Sequence, residues 1–138
     1  MADIGSAIRA VLANDAGVSA LVSTRIYPDR LPQNVTYPAI TYEMNFDSSF
    51  ESMSGITGFA ESFVEVVCWS TTRLQATATA EAVRLALTSY QGTSASVVVR
   101  RIHPNIGGVA REEPDDGSDV PVYYHERDYH TFYCEATS

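Results

Sequence analysis

Residues 60–92, AESFVEVVCWSTTRLQATATAEAVRLALTSYQG, change hydrophobic period midway, and that change decides the fold. Over about 60–69, Val64, Val66 and Cys68 fall on one face and Phe63, Glu65, Val67 and Trp69 on the other. A period of two predicts a strand. From about 72 to 90, Ala76, Ala80, Val83, Leu87 and Tyr90 recur at i, i+4, i+7, i+11 and i+14. That is one stripe of an amphipathic helix. Ser70, Thr71 and Thr72 offer N-caps, the alanines permit close approach to a sheet, and Gly92 closes the helix. The strand has two apolar faces, so it is central or turns its second face to a partner.

Working towards the N-terminus, Ala39 opens another alternating run, with Ile40, Tyr42, Met44 and Phe46 opposed to Thr41, Glu43 and Asn45. This is a half-buried strand. Between the two runs, DSSFESMSGITG at 47–58 is small, polar and glycine-containing, which predicts a long hairpin loop. Upstream, Pro28, Pro32 and Pro38 stiffen a connector that follows a brief strand at Arg25, Ile26 and Tyr27. The chain begins with a helix: Asp3 is a plausible N-cap, and Ile4, Ile8, Val11 and Leu12 form one stripe. Residues 14–17 interrupt it, and Val18, Leu21 and Val22 suggest a short second turn of helix.

Towards the C-terminus, ASVVVRRIH at 95–103 reads as a strand, 104–121 as a loop, and 122–134 as a long final strand. On that strand Tyr123, His125, Arg127, Tyr129, Thr131 and Tyr133 alternate with Tyr124, Glu126, Asp128, His130, Phe132 and Cys134. The order α-β-β-β-α-β-β predicts an α+β fold, with one mainly antiparallel sheet, helices packed on one face and long loops. A chain of 138 residues is expected to form a single domain over 1–138.

Composition narrows the function classes. Apolar residues are 45% and charged residues 19%, which is ordinary globular usage and argues against wholesale disorder. The formal net charge is −8 and the pI about 4.7, so a basic duplex-binding surface is not expected. No apolar run approaches the roughly 20 residues of a membrane-spanning helix. The amphipathic start has no separate apolar stretch and cleavage site, so no secretory signal is expected. Cys68 and Cys134 are then expected to be buried, small, apolar thiols in a reducing cytosol.

The chemical constellations are weak. His125 and His130 are five apart on one strand and face opposite sides; His130 and Cys134 share a side but lie about 13 Å apart, too far for one metal. His103 has no required partner. EEPDDGSD at 112–119 lacks the alternating spacing of a calcium loop and reads as a solvated charge run. Gly107 and Gly108 are followed by neither a helix nor a lysine, so a phosphate cradle is not supported. Glu126 and Asp128 share a side with His130, where an acid/base cluster is conceivable; an exposed polar strand edge is the simpler reading. No catalytic, cofactor-binding or metal residue is assigned. The residues that call for a partner are the apolar second face at Phe63, Val67 and Trp69, the hairpin residues Phe50 and Met53, and the final strand at Tyr129 and Tyr133.

Four blocks carry a resemblance: ADIGSAIRAVLANDAGVSALVSTRIYPDRLPQNVTYPAITYE at 2–43, VEVVCWS at 64–70, AEAVRLAL at 80–87 and RDYHTFY at 127–133. In that order they resemble the tail-completion (tail-terminator, tail-to-head joining) proteins of long-tailed bacteriophages and prophages. The resemblance is most specific over 3–42 and 64–87, and the acidic 104–121 segment departs from the family pattern. It implies a small α+β subunit without catalytic residues or cofactor. It further implies a hexameric ring on the end of the tail tube, partnered by the tube protein and a head-connector or head-closure protein. Genomic DNA would pass through the lumen without specific binding, and no membrane is involved. Another neck or tail component, such as a head-closure or tail-tube subunit, is the alternative within the virion. A small cytosolic enzyme or ligand-binding domain is the alternative outside it.

Overall fold

A computed structural model of the chain describes residues 4–49, 59–88, 90–95, 97–112 and 121–135. The helices and strands run α1 (Ile4–Asn14), α2 (Ala16–Val22), β1 (Ile26–Pro28), β2 (Ala39–Ser49), β3 (Phe59–Ser70), α3 (Arg73–Thr88), β4 (Gly92–Ser94), β5 (Val97–Glu112) and β6 (Val122–Glu135). The strands form one sheet in the order β1-β2-β3-β6-β5-β4. Only β1 and β2 run parallel; the remaining described pairs are antiparallel. The expected α+β architecture is the one observed.

Helix starts follow local chemistry. Asp15, in an extended conformation, accepts a hydrogen bond from the Val18 N–H at 3.0 Å, so a new helix begins where the first one ends. At α3 the cap is Thr72, whose Oγ1 accepts from the Gln75 N–H at 3.2 Å. The proline-rich connector is pinned at both ends: Asp29 N–H donates to Tyr42 O at 2.9 Å, and Arg25 Nε donates to Pro38 O at 2.9 Å. The Tyr37–Pro38 peptide bond is cis.

One core joins the helices to one side of the sheet. Ile4, Ile8 and Leu12 of α1, Val18 and Val22 of α2, and Ala80, Val83 and Leu87 of α3 meet Ile40, Val64, Val66, Cys68, Val97, Val99, Ile102, Tyr129 and Tyr133. Val64, Val66 and Cys68 therefore face the helices, as their parity predicts. Burial pushes the Cys68 thiol up to about 12. Both cysteines are free thiols; Cys134 is only half-buried, on the opposite face from Cys68.

Two expected loops are shorter than their composition suggests. The 104–121 segment is a strand as far as Glu112, because pairing with β6 continues past Pro104 by a register break between Pro104 and Gly107. Gly107 makes that pairing possible: a Cβ there would lie 2.7 Å from the Glu126 carbonyl oxygen. Similarly, 47–49 belong to β2, paired with β3 as far as Ser49 and Ala60. The rest of both segments, with Phe50, Met53 and most of the acidic run, lies outside the described residues. The short strand β4 also goes beyond the expected order, since Gly-Thr-Ser has no apolar period to reveal it.

Candidate functional site

The face of the sheet opposite the helices carries the second set of side chains of β3 and β6. Pairing across β3 and β6 aligns Trp69 with Tyr124, Val67 with Glu126, Glu65 with Asp128, Phe63 with His130 and Glu61 with Phe132. Residues directly opposite in an antiparallel pair share a face, so these ten form two adjacent columns. Among the described residues, no helix packs over them, and the core lies entirely on the other side.

Two aromatic islands stand on this face. In the first, the His130 ring stacks on Phe63 at 4.3 Å between centroids and meets Phe132 at 4.3 Å, while its Nε2 lies 3.0 Å from Glu61 Oε2. In the second, Trp69 tilts against Tyr124 at 5.2 Å and donates its Nε1–H to Thr41 Oγ1 at 2.9 Å. The indole helps explain why Thr41 and the paired Val67 are buried at 3% and 8% exposure despite facing away from the helices. Between the islands, Glu43, Glu65 and Asp128 sit at directly opposed positions on β2, β3 and β6.

The candidate interface residues divide. Phe63 and Trp69 are half-buried on the uncovered face, and Val67 lies between them beneath its neighbours. Tyr129 and Tyr133 are placed otherwise: they are 1% and 8% exposed in the core, on the helix side of β6. Their side chains are used inside the subunit, which corrects the expectation that they reach a neighbour. Burial also raises the Tyr129 hydroxyl above its ordinary range.

His130 is brought to Glu61 on the neighbouring strand, while Glu126 and Asp128, the expected companions in an acid/base cluster, stand on the same side of β6. His125 faces the helix side, where burial and the neighbouring Arg127 guanidinium depress its basicity. His125 Nδ1 and Arg127 Nε are buried without a hydrogen-bond partner. Parity on β6 placed both on one side but gave no sign that this was the inner side. Among the described residues, no group of three His, Cys, Asp or Glu side chains could hold a metal ion. The arrangement is thus an aromatic and acidic sheet face that, among the described residues, no helix covers.

The family profile described as tail completion protein gp17 matches residues 6–117. A chain of the virion of a native gene transfer agent (GTA) particle superimposes with a TM-score of 0.68 at 19% identity, covering 95% of this chain and 96% of that one. Curated protein sequences gave no match.

Proposed function

The chain belongs to the tail completion protein gp17 family, and from that premise we propose that it is a virion structural protein forming a ring on the end of a phage tail tube. Six copies close the ring; it stops polymerisation of the tube protein and presents the joint to a head-connector or head-closure protein. The family match over residues 6–117 carries this reading.

The geometry supports it. A ring subunit needs surface left over after its own core is built, and the uncovered sheet face with Phe63, Trp69 and Tyr124 is such a surface. Each copy contributes a formal charge of −8, so a ring of them repels DNA phosphates and lets the genome slide. No catalytic role is proposed, and the protein acts by assembly in the host cytoplasm and then within the virion.

Native mass spectrometry and negative-stain imaging test the proposal, together with the tails made by phage lacking the gene. A closed ring and over-long tails unattached to heads are the expected results. Long open tubes of the protein itself would instead make it a tube subunit, and a ligand-bound monomer would remove it from the virion altogether.

A further inference from the structure

Both edges of the sheet are only half covered. On one side, β1 pairs with β2 at Ile40, Thr41 and Tyr42 alone. On the other, β4 pairs with β5 at Val97, Val98 and Val99 alone. Among the described residues, 43–49 of β2 and 100–112 of β5 therefore have no ladder partner on their outer sides. Open strand edges invite pairing with another chain, and closure of a sheet into a ring removes them.

The two open stretches fit each other in level, direction and charge. Successive ladders set Arg101 level with Phe132, Glu61 and Ser48, and His103 level with His130, Phe63 and Phe46. Rotation about an axis along the strands preserves these levels, so 100–105 of one copy meets 43–49 of the next. Three antiparallel pairings separate β2 from β5, so the two strands run in opposite directions and meet as an antiparallel pair without any flip. Over 100–105 the β5 stretch carries Arg100, Arg101 and His103 and no acidic residue. The β2 stretch carries Glu43 and Asp47 and no basic residue.

We infer that the sheet continues from subunit to subunit, the outer edge of β5 in one copy pairing with the outer edge of β2 in the next. The charges select that pairing: β5 against β5 sets arginines together, β2 against β2 sets carboxylates together, and only β5 against β2 is attractive. Such a head-to-tail contact generates a ring where a self-paired edge would stop at a dimer. Pro104 contributes no donor, and the register breaks flanking Arg101 and Pro104 shorten the edge, which guards it against indiscriminate pairing.

This inference rests on the ring reading and specifies its seam. The test uses the purified chain and tails isolated from producing cells. A double variant, Ser48→Cys with Arg101→Cys, should give a reducible ladder of covalent multimers ending at the ring size, whereas neither single variant should give one. Arg100→Glu with Arg101→Glu should weaken the oligomer at least about tenfold with circular dichroism unchanged, and adding Glu43→Arg with Asp47→Arg should restore it. An intact ring that yields no ladder and ignores the charge swap overturns the seam and leaves the ring standing. Absence of any ring, in solution and on tail ends, overturns both.

Discussion

Trp69 Nε1 donates a 2.9 Å hydrogen bond to Thr41 Oγ1 on the face of the sheet turned away from the helices. The indole thus serves its own subunit, since Thr41 is only 3% exposed. Trp69→Phe keeps the ring and removes the donor, at an expected cost of about 0.5–1.5 kcal/mol. Trp69→Ala also removes the packing against Tyr124, with a loss of roughly 2–4 kcal/mol. Urea unfolding of the isolated subunit measures both. Equal stability of the alanine variant and the parent would show that the indole packs only in the assembly.

Gly107 and Gly108 are adjacent on β5 yet should respond oppositely to alanine. A Cβ on Gly107 would fall 2.7 Å from the Glu126 carbonyl oxygen and 2.9 Å from Arg127 Nε, whereas one on Gly108 meets nothing within 4 Å. Gly107→Ala is expected to cost about 1–3 kcal/mol as the β5–β6 ladder shifts. Gly108→Ala should stay within about 0.5 kcal/mol of the parent. Thermal unfolding of the two variants side by side decides, and an unperturbed Gly107→Ala would mean that β5 and β6 are not held so closely.

These glycines also show where the fold was illegible. Pro104, Gly107 and Gly108 read as loop punctuation because local propensity is all that a sequence displays there. Pairing with β6 overrides it, with register breaks absorbing the proline and a glycine admitting the opposite backbone. By contrast, β3 and α3 were legible almost to the residue, since their periods of two and 3.6 each persist across several apolar positions. On β6 the alternation was legible and its polarity was not. Tyr129 and Tyr133 share a side with His125 and Arg127, and only the packed helices reveal that this mixed side is the inner one. That Phe63 and Trp69 stand on the face away from the helices was legible from β3 alone, because a single helix stripe covers only one side of a strand. His130 and Phe132 join it through the β3–β6 register, which the sequence does not display.

His125 makes subunit stability depend on pH. It is 8% exposed with an unpartnered Nδ1, and burial followed by the Arg127 charge lowers its affinity for a proton; its own backbone, Glu126 and Glu81 oppose this more weakly. The unfolded chain therefore binds a proton at a pH where the folded chain does not. Stability contributed by the neutral ring is present above about pH 6.5 and is lost as pH falls below it, by at most about 1.4 kcal/mol per pH unit. Denaturation midpoints between pH 7.5 and 5.5 should decline for the parent and decline less for His125→Phe. A parent curve that is flat or rises towards acid would contradict the assignment.

The buried Ser62–Thr131 pair offers the sharpest double-mutant cycle. Both residues are 0% exposed on directly opposed positions of β3 and β6, on the helix side. Thr131 Oγ1 donates to Ser62 O at 3.1 Å and lies 2.7 Å from Ser62 Oγ. Since the Thr131 proton is committed to the carbonyl, the Ser62 hydroxyl is the donor between the two oxygens. Thr131→Val conserves shape but strands the Ser62 hydroxyl without an acceptor, at about 1–3 kcal/mol. Ser62→Ala leaves the Thr131 bond to the carbonyl intact and should cost less, about 0.5–1.5 kcal/mol. The double variant removes both hydroxyls together, so its loss should fall below the sum of the single losses, with a coupling of at least about 0.5 kcal/mol. Chemical denaturation of the four proteins gives the cycle directly. Strict additivity, or a Thr131→Val variant as stable as the parent, would show that water or another group already satisfies Ser62.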